Sequence, residues 1–135
     1  MRRPCACSAM HGSGWVERSL KPFDIFFRDA RMYKLCFYVP ATHLEQVKTA
    51  VFKAGAGRIG NYDCCAWQTL GQGQFRPDAQ ANPFIGKSGE LETVVEYKVE
   101  LVCSDELISA ALSALKHAHP YEEPAYDVIK LIDIL

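Results

Sequence analysis

The sequence predicts an α+β domain of the ferredoxin-like split type, β-α-β-β-α-β, with one antiparallel sheet and two helices on one face. Three observations lead there. Residues 93–103 alternate apolar and polar with a period of two, the mark of a half-buried strand. Two other stretches, 43–54 and the run after Ser104, repeat their apolar residues at helical spacing instead. Glycine and proline clusters separate these runs so that each helix lies between two strands. With right-handed crossovers the expected strand order is 4-1-3-2.

Composition sets the class. A chain of 135 residues is one domain's worth. Apolar content of 49% and charged content of 23% are those of an ordinary globular protein. A net charge of -1, with Lys and Arg scattered, favours neither nucleic acid nor an anionic membrane as partner, and the apolar runs are too short to span a bilayer. The six cysteines form no C-x-x-C pair. Cys5 and Cys7, and the vicinal Cys64 and Cys65, lack zinc-site spacing, while Cys36 and Cys103 sit in apolar runs as small core residues. Six reduced thiols in a cytosolic (cytoplasmic) protein is the expectation.

Residues 1–31 show no periodicity and no apolar core of a signal peptide. They are expected to be a poorly structured tail, or an over-extended start preceding a true start at Met32; the organised domain is 32–135. Residues 33–39 read as a strand stopped by Pro40. Thr42 and Glu45 fit a capping box, Leu44, Val47, Val51 and Ala54 follow at helical spacing, and Gly55 supplies a left-handed stop. Residues 62–70 are expected to form the second strand, with Asp63, Cys65, Trp67 and Thr69 on one face, weakening through Gly71 and Gly73 with a bulge. A long excursion rich in glycine and proline, 76–91, leads to the third strand. There Val95, Tyr97, Val99, Leu101 and Cys103 face in, and Glu96, Lys98 and Glu100 face out. The Ser104 hydroxyl caps the second helix, Asp105 and Glu106 favour its positive end, and Leu107, Ile108, Ala111, Leu112 and Leu115 form its buried stripe. The last strand is expected over 126–134.

The chemistry concentrates in His119-Pro120-Tyr121-Glu122-Glu123-Pro124-Ala125-Tyr126-Asp127. Each proline fixes its own φ and pushes the preceding residue out of the α region. The helix must therefore end by His119, and Glu123 is held extended or in a turn. Ionisable side chains are thus fixed on a stiff connector. The plainer reading is a rigid link whose acids are solvated. Residues 81–88 fit a relaxed phosphate-loop pattern, but a strand follows where a helix is required, and Pro83 removes an amide that would face an anion, so a tight glycine loop is expected.

Gly60-Asn61-Tyr62-Asp63, residues 71–77, Asn82-Pro83-Phe84-Ile85-Gly86, Glu92-Thr93-Val94-Val95-Glu96 and the 119–127 segment together give a pattern that resembles the YqfO-like proteins. These look like stand-alone copies of the CutA/PII-like domain inserted in the Nif-three-like dinuclear-metal proteins. The likeness covers about residues 32–135. It implies a ferredoxin-like fold related to CutA and PII proteins, which commonly form trimers. The dinuclear site of that family uses a paired-histidine motif and a later His-x-x-x-Glu in flanking domains. The four histidines here, at 11, 43, 117 and 119, include no adjacent pair, so that site does not transfer, and neither does the GTP cyclohydrolase label.

Glu92, Glu96 and Glu100 share one strand face, which is usually a solvated face. In a homotrimer they would line a cleft between subunits beside His119 and Glu122. Neutral imidazole with carboxylates suits zinc or another divalent metal, though such clusters also arise as surface ion networks. The expected metal ligands are His119 and Glu122; the expected ligand-binding residues are Glu92, Glu96, Tyr121, Glu123 and Asp127. The favoured function is a small trimeric binding or regulatory module holding a divalent metal or small ligand between subunits. The alternative is a metal-assisted hydrolase of the GTP cyclohydrolase type using His119 and a carboxylate. The absence of a visible nucleophile or complete ligand set favours the first.

Overall fold

β1 (Met32–Pro40) puts Leu35, Phe37 and Val39 on one face, and all three are fully buried. The computed structural model describes residues 31–132, so the expectations for 1–30 and for 133–134 lie outside the described residues. β1 pairs antiparallel with β3 (Glu92–Ser104) on one side and β4 (Tyr126–Lys130) on the other, and β2 (Trp67–Phe75) adds to the far edge of β3. The sheet order is β2-β3-β1-β4, which is the expected 4-1-3-2 read from the other side.

The two helices close one face of this sheet. α1 (Leu44–Lys53) buries Leu44, Val47 and Val51; α2 (Asp105–Ala118) buries Ala111 and Leu115. These side chains meet Leu35, Phe37 and Val39 of β1 and Val99, Leu101 and Cys103 of β3 in a single core. Full burial of an aliphatic or aromatic side chain contributes roughly 1.5–3 kcal/mol, so this cluster is the principal stabilising element. Cys36 is also buried but lies on the other face, opposite Glu100 and Asp127. That face carries no helix. Lys34, Tyr38, Trp67, Thr69, Phe75, Glu96, Lys98 and Glu100 all occupy it by register.

Several local expectations are corrected. Thr42 does not form a capping box. A 3-10 turn (Ala41–His43) precedes α1, no side chain caps the helix, and the Thr42 hydroxyl is 2.8 Å from His43 Nδ1. The Ser104 hydroxyl makes no cap bond either; instead the Asp105 N–H donates to the Arg31 carbonyl at 2.8 Å. β2 begins at Trp67, not residue 62. Ile59 and Tyr62 form an isolated bridge, and Cys64 turns the chain with φ 54°, so alternation cannot extend back through it. Nor does β2 bulge at its glycines: the pairing runs without a break from Trp67–Glu100 to Phe75–Glu92. Val95 has the inward parity of Val99 yet is 52% exposed, and Leu107 is also exposed. β4 ends at Lys130, and 131–132 are not part of it.

Gly55 does end α1 as expected. It adopts φ 103°, where any side chain is strained, and its N–H donates to the Phe52 carbonyl. Cys36, Cys64, Cys65 and Cys103 are free thiols. No described helix is long and apolar enough to cross a membrane.

Candidate functional site

α2 ends at Ala118 because Pro120 forces His119 into extended geometry, with φ -74° and ψ 138°. That turn drives the imidazole inward. His119 is 7% exposed, its Nε2 lies 2.7 Å from the Tyr38 carbonyl oxygen, and its Nδ1 accepts from the Tyr121 N–H at 3.1 Å. The Tyr38 carbonyl can only accept, so Nε2 carries the proton and the ring is neutral. Burial lowers its pKa, more than the bond to Tyr38 raises it. Neither nitrogen has a lone pair left for a metal. The expected metal role of His119 does not fit this geometry: the ring fastens the 119–125 connector to the end of β1.

The connector then turns over the open face of the sheet. The Tyr121 hydroxyl donates to Glu96 Oε1 at 2.8 Å, and burial followed by this carboxylate pushes the phenol pKa far up. Tyr121 therefore stays protonated and Glu96 is its acceptor. Glu96 Oε2 lies where a Cβ on Gly73 would stand, so the glycine makes room for the carboxylate. Across the connector, Glu122 Oε2 accepts from the Asn82 N–H at 3.0 Å and ties it to the 76–91 excursion. Within that excursion, Asp78 accepts from the Gln80 and Ala81 amides and Ser88 donates to the Asp78 carbonyl, so the loop holds its own shape. Phe84 and Phe75 lie 6.3 Å and 6.4 Å from the Tyr121 ring, and His43 meets Phe84 edge-on at 5.5 Å.

Between connector, excursion and β2 lies a cavity of about 470 Å³. Glu96, Tyr121, Glu122 and Glu123 line it, so the fold brings four of the expected residues together. The other three lie elsewhere. His119 is behind Tyr121. Glu92 packs beneath Gly86, whose Cβ position its side chain fills. Asp127 is on β4, opposite Cys36. Glu100 is engaged with Lys34 at 2.6 Å and Lys98 at 3.4 Å, and Lys34 holds its carboxyl below the usual range. Sequence reasoning missed the apolar lining, chiefly Phe75, Pro77, Pro83, Phe84 and Ile85. Phe84 is 53% exposed, and an exposed ring on a loop rich in glycine and proline was the available signal.

The residues present do not fit a bound metal ion. Among the described residues no three His, Cys, Asp or Glu side chains converge as a metal would require, and Glu122 already holds a backbone amide. The 81–88 segment forms turns and leads into β3, so it does not open the helix that a phosphate loop requires.

No family model matches the chain. Over 100 residues it is 47% identical to the GTP cyclohydrolase 1 type 2 homolog of Halalkalibacterium halodurans, covering 74% of this chain and 27% of that protein. Over 103 residues it is 47% identical to the protein of the same name from Mycobacterium leprae, covering 76% and 27%. The chain thus spans about a quarter of the length of the curated relatives it matches. Among solved structures it is similar to a Bacillus cereus protein related to NIF3, with TM-score 0.66, 39% identity, and coverage of 77% of this chain and 26% of that one. CutA from Synechococcus elongatus matches with TM-score 0.56 and 21% identity over 76% of this chain and 79% of its own. GlnK of B. subtilis matches with TM-score 0.52 and 15% identity over 76% and 86%. These last two share the fold.

Proposed function

We propose that this chain, which resembles proteins of the NIF3/YqfO family over about a quarter of their length, is a small self-associating module that binds a small ligand. The observation that supports this is the cavity. Two loops, each stiffened by prolines, are tied to each other by Glu122 and Asn82 and to the sheet by Tyr121 and Glu96. Preorganisation of this kind lowers the ordering cost of binding. The reading as a metal-assisted hydrolase has less support, since His119 spends both ring nitrogens on holding the connector.

Self-association rests on the sheet edge. β2 has a neighbour on one side only, and it exposes Trp67 and Leu70 at 69% and 58%. An exposed edge with large apolar side chains invites pairing with another chain. A closed ring satisfies every such edge equally, and a homotrimer is the assembly we propose.

Sedimentation of the purified chain at micromolar concentration is expected to give a trimer, and Trp67→Lys to shift it towards monomer. A monomer for the unaltered chain would remove the assembly. A small-molecule screen by melting point tests the cavity separately, because a ligand of the native state raises the midpoint by mass action. No stabilising compound, or one whose effect survives replacement of Phe84 by Ala, would remove the ligand-binding reading.

A further inference from the structure

The walls of the cavity restrict what can enter it. Its lining contains three carboxylates, from Glu96, Glu122 and Glu123, and neither lysine nor arginine. The remaining surface is mostly apolar, with the rings of Phe75, Phe84 and Tyr121 grouped on one side. We propose that this cavity takes an organic monocation with an apolar body, an alkyl- or arylalkylammonium compound, with the charged nitrogen against Glu96 and the body among the three rings. The proposal rests on the ligand-binding reading above and names the chemical class that the site selects.

Each alternative meets a specific obstacle. A carboxylate or phosphate ligand would face three like charges with no cation among the lining residues. A divalent ion would need several donors converging at one point, which the described residues do not offer. A neutral apolar ligand would desolvate Glu96 and leave its charge unanswered. An ammonium group answers that charge and is also attracted to aromatic faces.

Glu96 is fixed for this task from two directions. Tyr121 donates to Oε1, which leaves Oε2 to receive a ligand's N–H. Gly73 does not have a positive φ, so its backbone would accept alanine; what it provides is the space that Oε2 occupies. The glycine is thereby a positioning residue for the carboxylate.

The test is calorimetric titration of the full chain with four probes: 2-phenylethylammonium, 2-phenylethanol, 3-phenylpropionate and zinc. The ammonium is expected to bind about tenfold or more tightly than the alcohol, since a charge-assisted contact replaces a neutral one. Phenylpropionate and zinc are expected not to bind in the cavity. Glu96→Gln keeps an acceptor for Tyr121 and removes the charge, and it should weaken the ammonium by about tenfold while leaving the alcohol no weaker than before. Gly73→Ala should weaken the ammonium as well, by displacing Oε2. Alcohol or phenylpropionate binding as tightly as the ammonium would overturn the cation proposal and leave the cavity as a ligand site. Ammonium binding indifferent to Glu96→Gln would overturn it too. Failure of all four probes would overturn this proposal, and the broader screen would then decide the ligand-binding reading by itself.

Discussion

His119 bonds the carbonyl of Tyr38 across 81 positions of sequence, with Nε2 at 2.7 Å from the oxygen. The bond joins the last residue of α2's cap to the central strand of the sheet, and the other ring nitrogen receives the Tyr121 amide. One side chain therefore answers two part-buried backbone groups.

Replacing it should be costly. In His119→Ala the Tyr38 carbonyl and the Tyr121 amide both lose their partner away from water, and each such loss costs about 1–3 kcal/mol. We expect a drop in unfolding free energy of roughly 2–4 kcal/mol, within the range of the larger point-mutant effects. Urea denaturation measures it. A change under about 0.5 kcal/mol would return the connector to the status of a solvated surface loop.

The same burial sets a pH dependence. His119 in the folded chain has its pKa below the ordinary 6.5, so on acidification the unfolded chain takes up this proton first. Stability contributed by the neutral ring is fully present above the unfolded pKa and is lost as pH falls below it, down to the folded pKa. The denaturation midpoint should fall as pH drops through about 6.5 and below, and fall less in His119→Gln. Equal slopes for both proteins would show that the ring does not hold the connector in its neutral form.

Glu122 makes a local prediction. Its bond to the Asn82 amide is the tie between connector and excursion, while both segments keep other contacts. Glu122→Ala should leave the melting point nearly unchanged and speed hydrogen exchange at the Asn82 amide by roughly fivefold, the worth of one modest hydrogen bond. Unchanged exchange there would mean that the excursion is held by its internal turns alone.

Much of this architecture was legible because it rests on local rules. The alternation of β3 fixes which residues face the helices, and Pro120 fixes where α2 ends. Handedness and element order then leave one strand order. What was not legible depends on partners far away in sequence. Residues 62–66 run directly into β2 in sequence, yet the Cys65 amide donates to the Gly57 carbonyl and Cys64 is left-handed. Thr42 has the right neighbours for a capping box, but the ring of His43 takes its hydroxyl. Gly71 and Gly73 suggested a bulge, whereas Gly73 leaves room for Glu96. At the site, the carboxylates of the connector were visible, but the apolar cavity arises only when the excursion folds against them. The imidazole looked like a ligand because its two backbone partners cannot be seen in a linear sequence.

The pairing of β4 with β1 brings the two ends of the described segment to one place. The Leu131 amide donates to the Met32 carbonyl at 2.8 Å, and Tyr33 stands opposite Lys130 in the sheet. A polypeptide can therefore enter and leave this unit through a single doorway. A host protein could accommodate it within a surface loop and keep the two flanking residues almost where they were, because only a short gap must be bridged. By the same geometry a short linker could join residues 32 and 131 and new ends could be opened in the 76–91 excursion, giving a circular permutant whose sheet and core are unaltered.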